Sequence, residues 1–261
     1  SLEPQAKMFG ALLHFYTRCH KYFVDVRSAL LWSRTHIEIT ETSGGTGQHL
    51  DLATFKKAMM NERWSYGKMG DEQKAFGLDN IQIKVGAFKH FFEELDNDHS
   101  LAGYLLVEVP TGKGTKAEWA FEPRVGKNHF GLGLGAEEYY TNDKTRAMAG
   151  LNWRYLFGAK ETRSFDVTKN GPWSRYIRVV TIPAPTATGI KSSPGINVLT
   201  RKATVTLGNQ LNAYFRWGKK WDGGVQCEVA YNYMYQQKES ISDVADAPSR
   251  FGIYFKHNAT G

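Results

Sequence analysis

No stretch of this chain approaches the eighteen or so consecutive apolar residues of a membrane-crossing helix. With a hydrophobic fraction of 41%, that excludes a helical membrane protein. It leaves open a barrel, whose strands are apolar on one face only. Cysteine is scarce: Cys19 and Cys227 lie far apart, so neither a metal-ligand spacing nor a redox pair is present. The eight histidines never pair at helical metal-ligand spacing. No Ser-His-Asp set can be located, and no helix signal follows Gly131–Gly135 to make it a phosphate loop. The expectation is a protein that is not an enzyme, with no catalytic residue, no metal and no cofactor. The net charge is +7. Its lysines and arginines are spread along the chain, with no basic helix or zinc-finger spacing, so nucleic acid is not an expected partner.

What the sequence does carry is alternation. Between Gly195 and Trp217, one row reads Ala203, Val205, Leu207, Leu211, Ala213, Phe215 and Trp217, broken only by Asn209. The other reads Thr204, Thr206, Gly208, Gln210, Asn212, Tyr214 and Arg216. A period of two means a strand with one oily and one wet face. Read as one element, it runs about twenty residues, against the usual five or six of a soluble strand. The apolar row ends in an aromatic, as a lipid-facing row does at the headgroup level. Segments 11–19, 22–39, 81–87, 101–109, 129–140, 146–157, 225–235 and 250–256 alternate as well. The phase slips at Leu30–Leu31, which predicts a bulge. Gly131, Gly133 and Gly135 share one face, which implies that something bulky approaches there. Tyr231, Tyr233 and Tyr235 end an apolar row and read as an interface girdle.

The connections sort by length. Short ones fall near 18–21, 96–100, 141–144 and 218–224, and long ones near 42–80, 110–128, 159–195 and 238–248. Short and long alternate, as they do in outer-membrane barrels; a sandwich has no reason to sort its loops so. The fold expected is all-β, a single antiparallel transmembrane β-barrel over 1–261 with about 9–12 strands. Helical spacing at Leu52–Met60 adds a short helix within the first long connection. Nine strands are counted, an odd number, whereas bacterial single-chain barrels are even. Either a strand is missed, 118–122 being a candidate, or the chain is part of a larger barrel.

Four stretches carry a resemblance. They are Val109-Pro110-Thr111-Gly112; Phe121-Glu122-Pro123-Arg124-Val125-Gly126-Lys127-Asn128 with Gly131 to Gly135; Arg163-Ser164-Phe165-Asp166 followed by Pro172-Trp173-Ser174-Arg175-Tyr176; and Ile196-Asn197-Val198-Leu199-Thr200. In this order and spacing, over about residues 60–240, the chain resembles porin-like outer-membrane β-barrel proteins of Gram-negative, often host-associated bacteria. The resemblance implies a porin-like or transporter-like barrel in the bacterial outer membrane. It implies no catalytic residues, and its members look longer at both ends.

The functional expectation is a channel for passive passage of small hydrophilic solutes. Its partners are outer-membrane lipid and those solutes, with a homo-oligomer or an assembly with other outer-membrane components as its state. Arg146, Arg154, Lys202, Gln210, Asn212, Arg216 and Glu228 are expected to line the pore. Arg163, Asp166, Trp173, Arg175 and Tyr176 are the constriction-loop candidates. A basic lumen would favour small anions. The other reading is a structural or adhesive β-rich surface protein whose apolar strand faces pack against other subunits.

Overall fold

A computed structural model describes residues 2–39, 57–94, 97–167, 171–181, 192–244 and 251–253. Strand accounts for 66% of it and helix for 5%, so the chain is all-β. The strands are β1 (Leu2–Cys19), β2 (Tyr22–Ile39), β3 (Glu72–Leu78), β4 (Ile81–Glu94), β5 (Asn97–Val109), β6 (Gly131–Asn142), β7 (Thr145–Leu156), β8 (Ala159–Ser164), β9 (Arg178–Thr181), β10 (Ser193–Pro194), β11 (Thr200–Thr206), β12 (Gly208–Lys220), β13 (Gln226–Gln236), β14 (Ser240–Ser242) and β15 (Phe251–Ile253). Eight of them form one antiparallel path, β1-β2-β4-β5-β6-β7-β12-β13, with β3 paired to β2 beside it. This sheet curls into a half-barrel.

Two adjacent rungs show why the sheet has two chemically distinct faces. One crosses the eight strands through Thr17, Val24, Val85, Leu105, Leu134, Trp153, Leu211 and Tyr235. The next crosses them through Tyr16, Asp25, Lys84, Leu106, Gly133, Arg154, Gln210 and Gln236. Successive side chains of a strand point to opposite faces, so the registers place one row on the convex side and the other on the concave side. The buried cluster Phe23, Ala102, Tyr104 and Leu106 is concave. The convex row stays open: Leu105 is 66% exposed and Leu134 56%.

The hairpins β1–β2, β4–β5, β6–β7 and β12–β13 have short connections. Antiparallel order puts all of these at one end of the sheet and the long connections at the other.

The long stretch around residue 200 is not one unbroken strand. Gly195–Leu199 is a short helix, and the ladder breaks at Leu207, where Gly208 takes φ +67. That left-handed conformation suits glycine. The register nevertheless survives the break. Val205 faces Ala159 and Gly208 faces Leu156, three residues along on each side. On the other edge Thr206 faces Ser240 and Gln210 faces Gln236, four along on each side. The small sheet β14-β11-β8 thus prolongs β13, β12 and β7 past a kink.

The phase slip at Leu30–Leu31 has a different cause from the one expected. The β1–β2 register runs unshifted from Leu2–Ile39 to Cys19–Tyr22. On its other edge, β2 changes partner from β4 to β3. Arg27 to Leu30 is three steps, and the facing Leu78 to Gln82 is four. The extra residue sits on the neighbour, at Asp79–Asn80, as in a bulge.

Other expectations also need correction. β3 and β8 lie inside connections expected to be loops, and no strand covers 118–122. The last strand, β15, pairs with β9 in a small separate sheet, so the sequence count of main-sheet strands was one too many at that end. Of the expected helix Leu52–Met60, residues 57–59 are helical and 52–56 lie outside the described residues.

Candidate functional site

The concave face is built from the wet rows of β2, β4, β5, β6, β7, β12 and β13. It holds a cavity of about 680 Å³. Burying charges costs several kcal/mol each unless they are paired, and here they are paired, most of them across strands. Lys84 Nζ stands 2.6 Å from Glu137 Oε1, and the Tyr139 hydroxyl donates to the other Glu137 oxygen. Arg154 Nη1 donates to Glu108 Oε2 at 2.5 Å, and its Nε donates to Gln210 Oε1 at 2.8 Å. Arg27 meets Asp25 at 2.6 Å, and His14 reaches the same carboxylate at 3.1 Å. Arg216 meets Glu228 at 3.3 Å. Gln210 Nε2 and Asn212 Oδ1 are buried with no hydrogen-bond partner among the described residues. Both residues line the cavity, so a polar solute or water there is what can satisfy them.

The glycine row lies on this concave side: a Cβ on Gly131 would meet Leu156 and one on Gly133 would meet Arg154, while Gly135, like Gly150 on β7, lies under a tyrosine. A Cβ on Gly135 would lie 2.5 Å from Tyr104 Cζ, and one on Gly150 would meet the Tyr214 ring. Tyr104 pairs with Gly135 and Tyr214 with Gly150 across the ladder. The rings lie down over the glycines rather than standing into the hollow, which keeps the face open.

Of the seven pore-lining candidates, Arg146, Arg154, Gln210, Asn212, Arg216 and Glu228 share this face by register. Lys202 does not: it lies on β11 in the prolonging sheet, exposed, with Ala203 and Val205 of the opposite row buried. Past the kink, the oily row is the one that packs inward, against Leu156. The sequence reading missed Arg27, Lys84, Glu137 and the tyrosines. The alternation that assigned Arg154 would have found Lys84 and Glu137, since both continue wet rows. Asp25 and Glu108 were visible as carboxylates; Arg27 stands two residues from Asp25 on the same strand, whereas only the folded sheet brings Arg154 to Glu108.

The four motif stretches gather at the end with the long connections. Asn80, on the bulge, clasps the first two together. Its Oδ1 accepts from the backbone N–H of Gly112 and of Asn128, at 3.2 and 3.3 Å, and its Nδ2 donates to Glu108 at 2.7 Å. The Thr111 hydroxyl donates to the Asp79 carbonyl at 2.6 Å. A Cβ on Gly112 would lie 2.8 Å from Gly126 Cα, so two motif glycines let the loop backbones touch. Asn197 ties the last motif down, accepting from Ser65 N–H at 2.7 Å and donating to the Arg63 carbonyl at 2.6 Å.

The five constriction candidates belong to this cap. Arg175 forms a fork on Asp166, with Nη2–Oδ2 2.8 Å and Nε–Oδ1 3.1 Å. The Tyr176 hydroxyl donates to the Gly67 carbonyl at 3.0 Å. Arg163 lies 2.9 Å from Glu161 and 3.1 Å from Glu239. Trp173, Arg163, Arg175 and Tyr176 border a separate cavity of about 330 Å³; none of the five lines the concave one. Asp166 is held below the ordinary carboxylate range. Burial works against this but is outweighed by the hydrogen bonds and charge of Arg175.

A buried pair joins the cap to β8. His129 Nδ1 faces the Phe157 carbonyl at 2.8 Å, and Nε2 faces Glu161 Oε1 at 3.0 Å. Both ring nitrogens meet acceptors, so the doubly protonated imidazolium is fully satisfied. Burial pushes its pKa down, but the bonds to Glu161 and Phe157 outweigh it and raise the pKa above the ordinary 6.5. Glu161 is lowered from 4.5: burial again opposes, and His129 and Arg163 prevail. The histidine's contribution is complete below pH 6.5 and is lost as pH rises through its elevated folded pKa. The glutamate's contribution is complete above pH 4.5 and is lost as pH falls through its depressed one. Denaturant titrations from pH 4 to 9 are therefore expected to show stability falling as pH rises above about 6.5. His129→Gln should flatten that limb; an unchanged slope in the variant would rule the pair out as its cause.

Compared with protein-family models, with curated proteins and with solved structures, the chain matches none.

Proposed function

We propose that the chain forms the wall of a passive, porin-like conduit in a bacterial outer membrane, open to small hydrophilic solutes. One observation carries the reading: the curled sheet is apolar and uncovered on its convex face and polar, charge-paired and hollow on its concave face. Soluble monomers rarely expose apolar patches beyond a few hundred Å². The convex rows run across all eight strands, and among the described residues no second layer packs on them. Leu101 to Val109 spans nine residues, roughly 27 Å along a strand at about 3.4 Å per step. That is the scale of the apolar band of a spanning strand, about 25 Å. The loop asymmetry and the motif resemblance point the same way.

The selectivity follows from the pairing. Four concave cations each face a carboxylate, while Arg18 and Arg146, in concave rows by register, have no carboxylate partner among the described residues. The lumen is thus close to balanced, with a small basic surplus, and a modest anion preference results. In planar bilayers under a salt gradient, the purified protein is expected to give stepwise conductance with a reversal potential displaced slightly toward anions. A sealed bilayer contradicts the conduit, and cation preference contradicts the charge assignment.

A further inference from the structure

We infer that the cap cavity of about 330 Å³ is a binding site for a sugar acid, whose ring lies on Trp173 and whose carboxylate meets Arg124. The site belongs to the loops between the strands and does not depend on the conduit reading. Its volume falls at the small end of ligand cavities, which run from about 300 to 1,000 Å³.

The aromatic wall is held at a cost. Trp173 takes φ +69 and Ala117, also on the cavity, φ +55. A bulky residue in the left-handed region is an outlier, and such strain gathers at ligand clamps. The loop enforces it: Ser174 Oγ accepts from the Val167 N–H at 2.8 Å, and the Arg175–Asp166 fork closes the turn. Trp119 on the same cavity is fixed by its bridge to Lys68, with the Ala120 N–H donating to the Lys68 carbonyl at 2.9 Å. The Trp173 ring stands 5.9 Å from that of Tyr176 and 6.4 Å from that of Phe121, yet it stays 49% exposed. A strained, anchored indole with half its surface uncovered has a face to offer. The C–H side of a sugar ring is apolar and fits the negative face of an indole.

The polar wall leaves two valences unmet. Arg163 is spent on Glu161 and Glu239, and Arg175 on Asp166. Arg124 is exposed and makes no hydrogen bond or ion pair among the described residues. It also borders an adjoining cavity of about 270 Å³, where Glu118 stands among Lys113 and Lys116. Lys113 donates only to the Phe76 carbonyl, at 3.1 Å. A carboxylate is what a free guanidinium fork binds best. Two residues before Arg124, Glu122 Oε2 accepts from the Lys116 and Ala117 N–H groups at 3.0 and 2.8 Å. Its other oxygen, with no donor among the described residues, suits a hydroxyl.

The ligand therefore needs an apolar face, a hydroxyl donor and a carboxylate, and a sugar acid has all three. An aromatic acid leaves Glu122 without a donor, and a neutral sugar leaves Arg124 without an anion. An amino acid would bring an ammonium among three guanidiniums, toward a carboxylate already half spent on its own loop.

The test is titration calorimetry on the full chain in detergent. The probes are glucuronate and galacturonate, each against its neutral parent, with acetate and phenylalanine as controls. At least one sugar acid is expected to bind about tenfold more tightly than its parent, as a charge-assisted contact gives, and the controls should not bind. Arg124→Gln should bring the acid down to the parent's affinity and leave the parent unchanged. Trp173→Gly keeps a residue that accepts the left-handed backbone and removes the indole, so acid and parent should weaken alike, by about tenfold. Thermal unfolding checks that both variants fold; Arg124 makes no contact whose loss would unfold the cap. Equal affinity for acid and parent in the unaltered chain would overturn the assignment. So would binding of neither acid, acid binding untouched by both variants, or phenylalanine binding above the acids.

Discussion

Replacing Leu134 by arginine is expected to destabilise the protein in bilayers by about 2–4 kcal/mol, the cost of a cation at the midplane of a lipid-facing strand. Leu134 stands between Leu105 and Trp153 on a rung that is convex throughout. It is more than half exposed, and no element among the described residues covers it. If that face met water, the same substitution would be nearly neutral, within about 0.5 kcal/mol, like other surface changes. Met148→Arg is the matched control. Met148 borders the concave cavity, where a long cation finds water and carboxylates, and it should cost far less. Urea titrations of vesicle-inserted protein compare the two. Equal costs at Leu134 and Met148 would contradict the two-faced assignment.

Glu137→Ala is expected to cost about 3–5 kcal/mol, because it leaves a buried charge without its counter-ion. The Lys84 side chain is 12% exposed and that of Glu137 7%. The Lys84 ammonium also lies 4.4 Å above the Tyr104 ring, a contact too weak to replace a carboxylate. Tyr139 loses its acceptor at the same time. Removing both charges, with Lys84→Met and Glu137→Leu together, should recover most of the loss, since the penalty comes from the unpaired member. Equilibrium unfolding of the two single variants and the double variant closes the cycle. Additive losses would mean that the pair is not coupled.

The two-faced strands were legible because period-two alternation is written locally. Arg154, Gln210 and Asn212 sit where their rows put them. The loop asymmetry was legible for a related reason, since antiparallel hairpins must put their short turns at one end. Register was not legible. Glu108 is an isolated acid in the sequence, and only the ladder places it within reach of Arg154, as only the ladder brings Lys84 to Glu137. Breaks that preserve alternation were invisible too. Leu207–Gly208 keeps the oily–wet rhythm while the ladder opens, and so Lys202 was assigned to the wrong surface. The apparent bulge at Leu30–Leu31 misled for the opposite reason: the irregularity there belongs to Asp79–Asn80, between the two facing strands β3 and β4, 49 positions on by the numbering of Leu30 and Asp79. The motifs were visible as motifs, but the clasp that Asn80 makes on the first two, and the ties of Asn197 to Arg63 and Ser65, depend on contacts between distant loops.

The most direct measurement is a nitroxide scan along β7 in vesicles, read with molecular oxygen as the apolar probe and a nickel chelate as the aqueous one. Oxygen should reach Ala147, Ala149, Leu151 and Trp153, and the chelate should reach Met148 and Asn152, alternating residue by residue. A flat profile, or the chelate reaching both rows equally, would contradict a sheet that turns one face to hydrocarbon and the other to water.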